Sequence, residues 1–373
     1  MYMSSTKKIF IIAGESSGDF HGAKLINRIK SIEPRSTFMG HGGNLMKSEG
    51  MLILEHINNL SIMGFTEVLI HLPRIRIIFK KTVQAIERSN PDRVILIDYP
   101  GFNLRIAKEI FDLGIPISYF IMPQVWAWKK KRIKLIQKYV DQPISIFQFE
   151  ADWFLENKIN VDFFGHPLLD QKHLNETSKS FFTRHKLTIE FPIILLLPGS
   201  RQQEINRHWP IYLSLIKILK RKNPSFQFIL GKVDAVNILD IPDYVKIEKN
   251  ANKAMVVASA AITASGTATL ECALADLPTI VCYKMSSISW FIAKNLTSLK
   301  YSSIVNIIAK KEIFPEFLQD KMNANMILKK LEPLLTINST ERKTMIEELQ
   351  QIKNSLGKPG VYDRIAKSIV KRI

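Results

Sequence analysis

Short apolar segments alternate with amphipathic segments along most of this chain. In the first half, apolar runs of strand length recur, and segments with apolar residues at helical spacing separate them. This alternation is typical of a parallel sheet with helices on both faces. The predicted strands are residues 9–13, 37–39, 94–97 and 117–121, and the predicted helices are residues 19–32 and 103–113.

The same pattern starts again at residue 193, so we predict two α/β units in tandem. The polar stretch at 169–190 lacks a strand pattern and is the predicted joint, while residues from 322 onward show only helical periodicity. The predicted strands of this half are residues 193–197, 226–230, 260–263 and 280–283, with helices at 211–220 and from 267. The fold class is therefore α/β, with two Rossmann-like doubly wound parallel-sheet domains at 1–168 and 169–350. It is left open whether the last helix, within 351–373, packs back on the first domain.

A chain of 373 residues is long enough to bury two cores. It carries 52 Lys and Arg residues against 34 Asp and Glu residues, which gives a net charge of +18. Such an excess favours anionic partners: nucleic acids, phospholipid headgroups or phosphorylated substrates. A general bias toward Lys, Ile and Asn accounts for part of the excess, so the charge alone does not select among these partners.

The cysteines and the apolar runs bear on the compartment. Cys272 and Cys282 are the only cysteines, and we interpret both as small core residues in a reducing environment. The apolar run at 9–13 is too short for the core of a signal peptide, and the longest run, near 193–197, is far below a membrane span. We therefore expect a cytoplasmic protein that is soluble or lies on a membrane surface.

Two turns in the second half join the end of an apolar strand to the start of a helix. Residues 264–269 (ASGTAT) combine glycine with hydroxyl side chains, and residues 197–201 (LPGSR) add the fixed charge of Arg201. Backbone N–H groups at a helix N-terminus, two Thr hydroxyls and a guanidinium suit a diphosphate. Because ligands of open parallel sheets bind beyond the carboxyl ends of the strands, we predict a nucleotide-diphosphate site in a cleft between the domains.

A carboxylate follows a predicted strand of the first half. Asp98 comes directly after residues 93–97, and we interpret it as a group that takes a proton from a sugar hydroxyl. Capping of the next helix is the alternative, but Asn103 is better placed to cap it.

A glycine-rich turn follows the first strand. Gly14 and Gly18 permit tight turning and close approach of a ligand, although the spacing is not the dinucleotide pattern G-x-G-x-x-G. Glu15 would also place a negative charge where a pyrophosphate should lie. A turn that only starts the helix is as good an interpretation of this motif as a ligand site.

Two basic segments also allow two interpretations each. Trp126 and Trp128 directly precede the basic tract 129–132, which favours a loop that contacts a sugar or an anion, or else a solvated helix face. Residues 65–86 show an apolar stripe with basic residues around it, which indicates a helix facing the core or docking on an anionic bilayer.

Several familiar chemical motifs are missing. The chain has no P-loop, no nucleophile elbow at Ser200, no Asp-x-Asp and no pair of histidines at ligand spacing. We therefore expect no metal and no cofactor, and charge on a departing diphosphate would be met by Arg201 and helix N-termini.

In their order along the chain, these segments resemble the lipid-A-disaccharide synthase family, inverting glycosyltransferases with the two-domain GT-B fold. The resemblance covers nearly the whole chain, and the ordered set is far more specific than any one segment. Gly101 departs from the pattern, because the family often has an acidic residue there. The matching segments are residues 13–19, 62–69, 98–103, 125–128, 165–167, 197–201, 265–271 and 315–319.

The resemblance implies a reaction. UDP-2,3-diacylglucosamine would donate its sugar to the 6-hydroxyl of 2,3-diacylglucosamine 1-phosphate (lipid X), giving a β-1,6 disaccharide and UDP. Asp98 would be the general base, and Glu271 would bind the ribose hydroxyls. The implied UDP-sugar residues also include Gly199, Ser200, Arg201, Ser265, Gly266, Thr267, Ala268 and Thr269, and the implied acceptor or cleft residues are Gly14, Glu15, Ser17, Gly18, Asn103, Trp126, Glu316 and Gln319.

The implied partners are these two lipids and, through the basic stripe at 65–86, the cytoplasmic face of the inner membrane. The sequence leaves open whether the enzyme is a homodimer. The alternative within the fold is an enzyme that uses UDP-N-acetylglucosamine, such as a 2-epimerase or a cell-wall transferase. We expect no nucleic-acid partner, because the chain shows no module that stacks and reads bases.

Overall fold

The computed structural model describes residues 6–60, 65–127, 132–171, 178–296 and 299–373. The side chains of residues 65–72, 288, 292–293 and 296 lie outside this description. The chain divides into two compact units. The first comprises Met1–Gln171 together with Leu356–Ile373, and the second comprises Lys172–Ser355.

The first unit is built on a seven-stranded sheet in the order β3-β2-β1-β4-β5-β6-β7, with every neighbouring pair parallel. Its strands are β1 (Lys8–Ala13), β2 (Thr37–Gly42), β3 (Leu52–His56), β4 (Arg93–Ile97), β5 (Ile117–Phe120), β6 (Gln142–Ser145) and β7 (Asp162–Phe163). The helices between them are α1 (Ser16–Ile32), α2 (Asn44–Ser48), α3 (Phe65–Ser89), α4 (Pro100–Glu109), α5 (Ile133–Tyr139) and α6 (Gln148–Glu156).

The central strands of this sheet are buried on both faces. Successive side chains of a strand point to opposite faces, so Phe10 and Ile12 of β1 belong to one core cluster and Ile9 and Ile11 to another. Burial on both faces explains why these strands are continuous apolar runs rather than alternating ones.

The second unit is built on a six-stranded parallel sheet in the order β10-β9-β8-β11-β12-β13. Its strands are β8 (Ile193–Leu197), β9 (Gln227–Gly231), β10 (Val245–Glu248), β11 (Ala260–Thr263), β12 (Thr279–Tyr283) and β13 (Glu316–Leu318). Its helices are α7 (Ser178–His185), α8 (Gln202–Lys222), α9 (Ala251–Met255), α10 (Thr267–Leu274), α11 (Ser287–Leu296), α12 (Ile304–Ala309), α13 (Ala324–Leu335) and α14 (Thr340–Ser355).

The last helix, α15 (Val361–Val370), belongs to the first unit. It packs against α1, and its apolar residues Val361, Ile365 and Ile369 are buried in the core cluster that contains Ile9 and Ile11. The end of the chain therefore completes the core that its beginning starts.

Each predicted strand has a counterpart in these sheets, and the helical character from residue 322 onward is confirmed. The strands that the sequence did not predict lie at or next to the sheet edges: β3, β6, β7, β10 and β13. These strands lack the continuous apolar run: β3 is partly exposed, and β6, next to the edge, is buried but begins with Gln142 and Pro143. Cys272 and Cys282 are buried, as expected of small core residues.

The apolar stripe of α3 packs inward wherever its side chains are described. Ile75, Phe79 and Val83 lie against the core cluster of the first unit, and Ile86 is part of that cluster. This half of the stripe is therefore not a lipid-facing surface, contrary to one of the two interpretations. None of the described helices is long and apolar enough to cross a membrane.

A buried polar chain fastens α15 to the sheet. Gln142 is at its centre: its Nε2 donates to Asp162 Oδ2 and to Ser368 Oγ, both at 2.9 Å, and its Oε1 accepts from Ser118 Oγ at 2.8 Å. Arg93 continues the chain by donating to Ser118 Oγ at 3.0 Å. Gln142, Ser118 and Arg93 are buried, whereas Asp162 and Ser368 are half-buried, so Gln142 and Ser118 depend most on this chain for their hydrogen bonds.

We expect Gln142→Ala to lower the free energy of unfolding by about 1–3 kcal/mol, because it leaves the buried Ser118 hydroxyl without an acceptor and removes the bonds to Asp162 and Ser368. Urea denaturation followed by circular dichroism measures this. Gln148→Ala is the matched control, since Gln148 bonds Asp152 on the exposed surface. Equal midpoints for the two variants would contradict the prediction.

Candidate functional site

Asp98 lies in a strained turn at the carboxyl end of β4. Asp98 and Tyr99 both have left-handed backbones, with φ of 45° and 49°. Two consecutive non-glycine residues in this region are costly, and such strain persists only where surrounding contacts enforce it. The Asp98 N–H donates to Phe120 O at 3.0 Å.

Two buried side chains donate hydrogen bonds to the backbone of this turn. Asn103 Nδ2 and the Tyr119 hydroxyl each donate to the Asp98 carbonyl oxygen at 2.7 Å. The prediction that Asn103 caps the following helix is wrong, because α4 begins three residues earlier at Pro100. The Asn103 amide instead fixes the backbone of Asp98, whose side chain lines a cavity.

The Asp98 carboxylate lines a cavity of about 350 Å³. The pKa of Asp98 is raised to about 6, first by burial and second by the negative charge of Glu15, while a hydrogen bond from the Tyr99 backbone opposes the rise. A carboxyl group with this pKa is mostly ionised at neutral pH and is still basic enough to accept a proton. The cavity is lined by Glu15, Asp98, Tyr99, Pro100, Ile121, Met122, Pro123, Gln124, Val125 and Arg132.

Glu15→Gln should move the acid limb of the activity profile to lower pH. Loss of the neighbouring charge lowers the pKa of Asp98, and burial keeps it above the ordinary value, so Asp98 stays ionised in more acidic solution. The measurement is kcat/KM for the acceptor from about pH 4.5 to pH 8. Glu109→Gln, at an exposed position at the end of α4, is the control. An acid limb that stays in place in Glu15→Gln would show that the two carboxylates are not coupled.

The two glycines of the first turn serve packing. A Cβ on Gly14 would lie 2.4 Å from the Tyr99 ring, and one on Gly18 would lie 3.1 Å from the Ala13 Cβ. Neither glycine lines the cavity, and Ser17 is exposed in the first turn of α1, so Glu15 alone of this motif reaches it.

Trp126 also points away from the cavity. Its Nε1 donates to Glu150 Oε1 at 2.8 Å, and its ring packs edge-on against Phe149. Burial raises the pKa of Glu150 to about 7, opposed by hydrogen bonds from Ser145 and Trp126. The neighbouring residues Pro123, Gln124 and Val125 of this loop line the cavity, while Trp128 and residues 129–131 lie outside the described chain.

The second unit contains a cavity of about 390 Å³ between the two predicted turns. It opens where β8 leads into α8 and where β11 leads into α10, at the carboxyl ends of adjacent strands. The lining residues are Leu197, Gly199, Ser200, Arg201, Glu204, Gly231, Lys232, Val233, Lys249, Ala251, Thr263, Ala264, Ser265, Gly266, Thr267, Ala268 and Glu271.

The turn at Gly199 contributes a cation rather than backbone N–H groups. Glu204 Oε2 accepts from the N–H of Ser200 at 3.1 Å and of Arg201 at 3.3 Å, so both amides are occupied. Gly199 has φ of 127°, and a Cβ there would lie 2.5 Å from the Glu204 carboxylate. The Arg201 side chain is 64% exposed, and its guanidinium is 3.6 Å from the Glu204 carboxylate, which leaves donors available to a ligand.

The turn at Gly266 contributes the N-terminus of α10, which has no side-chain cap. Thr267 and Ala268 line the cavity. Thr269 does not, because its hydroxyl donates back to Gly266 O at 2.8 Å. Ser265 Oγ donates to Ser302 O at 2.8 Å, so one Thr hydroxyl, rather than two, is available here.

Glu316 and Gln319 belong to the second unit and are engaged in bonds there. The Glu316 carboxylate accepts from the N–H groups of Ser302 and Ser303 at 2.8 and 2.9 Å, and Gln319 Oε1 accepts from Met285 N–H. Their assignment to the acceptor or cleft site stays a prediction. Through Ser302, Glu316 supports the Ser265 turn.

Glu271 lines this cavity and a second one of about 400 Å³ formed by residues 248–252. Burial raises the pKa of Glu271, and a hydrogen bond with Asn252 lowers it. Two cations at this cavity, Lys232 and Lys249, were not predicted from the sequence. Arg201 was predicted because it is a cation just after a predicted strand, and Lys232, directly after β9, could have been found in the same way. Lys249 could not, because it follows β10, which was not predicted.

Among the described residues, no group of three or more His, Cys, Asp and Glu side chains could hold a metal ion.

A family model described as lipid-A-disaccharide synthetase matches residues 9–367. The lipid-A-disaccharide synthase of Myxococcus xanthus is 32% identical over 377 residues, which cover 99% of this chain and 98% of the relative. Two solved structures share the GT-B fold at 13% identity and a TM-score of 0.63. They are the UDP-GlcNAc 2-epimerase of Neisseria meningitidis, bound to UDP-GlcNAc, covering 98% of this chain and 100% of that one, and CalG4, the calicheamicin glycosyltransferase, covering 99% and 98%.

Proposed function

The chain belongs to the lipid-A-disaccharide synthase family, and we propose that it transfers 2,3-diacylglucosamine from UDP-2,3-diacylglucosamine to 2,3-diacylglucosamine 1-phosphate. The products are the β-1,6-linked tetraacyl disaccharide 1-phosphate and UDP. The observation that carries the proposal beyond the family is the cavity of the second unit, where Arg201, Lys232 and an uncapped helix N-terminus converge at the ends of adjacent strands. This arrangement suits a diphosphate.

We assign the parts of the donor nucleotide to the two cavities that share Glu271 by matching their chemistry to the lining residues. The diphosphate would contact the Arg201 guanidinium and the N–H groups at the start of α10. Glu271 would accept hydrogen bonds from the ribose hydroxyls, and the second cavity, at residues 248–252, would hold the uracil. Because Glu204 occupies the N–H groups of the Gly199 turn, the Arg201 guanidinium would make the main contact with the diphosphate at that turn.

Asp98 is the proposed general base. It removes the proton of the acceptor 6-hydroxyl as that oxygen attacks the anomeric carbon of the donor. The bond from this carbon to the diphosphate oxygen breaks at the same time, and its electron pair leaves with UDP. A single displacement of this kind inverts the anomeric centre and forms no covalent intermediate with the enzyme.

We also propose a peripheral contact with anionic lipid on the cytoplasmic face of the inner membrane. The described part of the apolar stripe of α3 packs on the core, so this contact would use the exposed residues of the helix. They are Arg74, Arg76, Lys80 and Lys81, together with Ile77, which is 56% exposed. Basic side chains near an anionic bilayer each contribute about 1 kcal/mol to attraction.

Mass spectrometry of products tests the proposed reaction. Purified protein supplied with both acylated glucosamine substrates should yield a product whose mass equals the sum of the two substrates minus that of UDP. One UDP should be released for each disaccharide formed. UDP-N-acetylglucosamine should be left unchanged when supplied alone. Epimerisation of that unacylated nucleotide sugar, without formation of the acylated disaccharide, would refute the proposal in favour of a 2-epimerase.

A further inference from the structure

One cation lines the Asp98 cavity in the described part of the chain. Arg132 is half-buried at its wall, opposite in charge to Glu15 and Asp98. The pKa of Tyr119 is raised mainly by burial and also by the charge of Asp98, and it is lowered by the charge of Arg132. Both charges therefore act on the same buried hydroxyl. Because Arg132 and Asp98 line the same cavity of about 350 Å³, one bound sugar can reach both side chains.

The acceptor has two chemically distinct ends. Its 6-hydroxyl must meet Asp98, whereas its 1-phosphate is an anion that Asp98 and Glu15 repel. An arginine fork binds a phosphate through paired charge-assisted hydrogen bonds. A cavity with two carboxylates and one guanidinium therefore permits one orientation of the sugar, with its hydroxyl toward the acids and its phosphate toward Arg132.

We propose that Arg132 binds the 1-phosphate of the acceptor and thereby directs the 6-hydroxyl toward Asp98. This inference rests on the proposed function. It also supplies a basis for specificity, because donor and acceptor carry the same acylated sugar and differ only in the group on the anomeric oxygen. A terminal phosphate fits beside Arg132, whereas the nucleoside diphosphate has its own cavity in the second unit.

Arg132→Ala and two acceptors test the assignment. One acceptor is 2,3-diacylglucosamine 1-phosphate, and the other is the same acylated sugar without the phosphate. We expect the wild-type protein to prefer the phosphorylated acceptor in kcat/KM, and Arg132→Ala to reduce that preference by roughly 10- to 100-fold. The loss should appear mainly in KM for the phosphorylated acceptor, with KM for the donor unchanged.

Two variants control for structural effects. Lys134→Ala removes a nearby charge of α5 that does not line the cavity, and it should leave the preference intact. Arg132→Lys keeps the charge without the fork and should retain part of the preference. Equal losses of kcat/KM for both acceptors in Arg132→Ala, or no loss at all, would overturn the inference.

The same assays separate this inference from the reaction on which it rests. If the wild-type protein forms the disaccharide and Arg132→Ala keeps its acceptor preference, only the assignment of Arg132 fails. If the wild-type protein forms no disaccharide from the two acylated substrates, the proposed function itself fails.

Discussion

Asp98→Asn is expected to lower turnover by roughly two to four orders of magnitude while leaving the affinity for UDP nearly unchanged. The substitution removes the base and keeps the size of the side chain. UDP affinity should persist because the proposed donor cavity is formed by residues of the second unit, whereas Asp98 lies in the first. Turnover of both acylated substrates and calorimetric titration with UDP measure the two quantities.

Asparagine is the better replacement for structural reasons, although Asp98→Ala should lose turnover to a similar extent. Position 98 has φ of 45°, a conformation that asparagine adopts readily and alanine does not. Because the folded-state pKa is raised, ionisation of Asp98 opposes folding as pH rises through about 6. The Asp98→Asn variant, which is neutral at this position, should thus be at least as stable as wild type at neutral pH. Parallel losses of UDP affinity and turnover would refute the assignment of Asp98 as base.

Arg201→Ala is expected to weaken both UDP binding and turnover. A hydrogen bond to a charged group contributes enough that UDP affinity should fall roughly 10- to 100-fold. Turnover should fall by roughly 10²-fold or more, because the guanidinium also meets charge that develops on the departing diphosphate. Titration with UDP and single-turnover kinetics at saturating donor separate the two effects.

Arg207→Ala is the matched control for that prediction. Arg207 is on the same helix, α8, and its side chain donates to Gln203 O outside the cavity. Both variants remove one positive charge, so a general electrostatic effect would appear in both. Unchanged UDP affinity in Arg201→Ala would show that another group, such as Lys232, binds the diphosphate.

The buried centre of each sheet could be predicted from the sequence because a strand covered on both faces must be apolar throughout. Ile193–Leu197 shows this, with all five residues buried. Strands near the sheet edges could not, since their pattern depends on which neighbours cover them. The start of α4 was misplaced for a related reason: the left-handed turn at Asp98 and Tyr99 is enforced by tertiary hydrogen bonds, which local propensity does not contain.

For the candidate site, the sequence predicted the location of the anion-binding turns better than the donors within them. It placed Gly199 and Gly266 at strand ends, and both line one cavity. It did not predict that Glu204 occupies the amides of one turn, or that Thr269 and Trp126 direct their polar atoms elsewhere. Those outcomes depend on side-chain partners distant in sequence or on rotamers, and residue type alone does not determine them.

The return of α15 to the first unit has a consequence for biosynthesis. On the ribosome, α15, which shares the cover of the Ile9 and Ile11 face with α1, emerges only after the whole second unit has been translated. Until α15 emerges, α1 covers part of that apolar face and the core stays incomplete, whereas the second unit by then has all of its own residues. We therefore infer that the later-synthesised half can complete its fold first, while the amino-terminal half completes its core only when α15 is available.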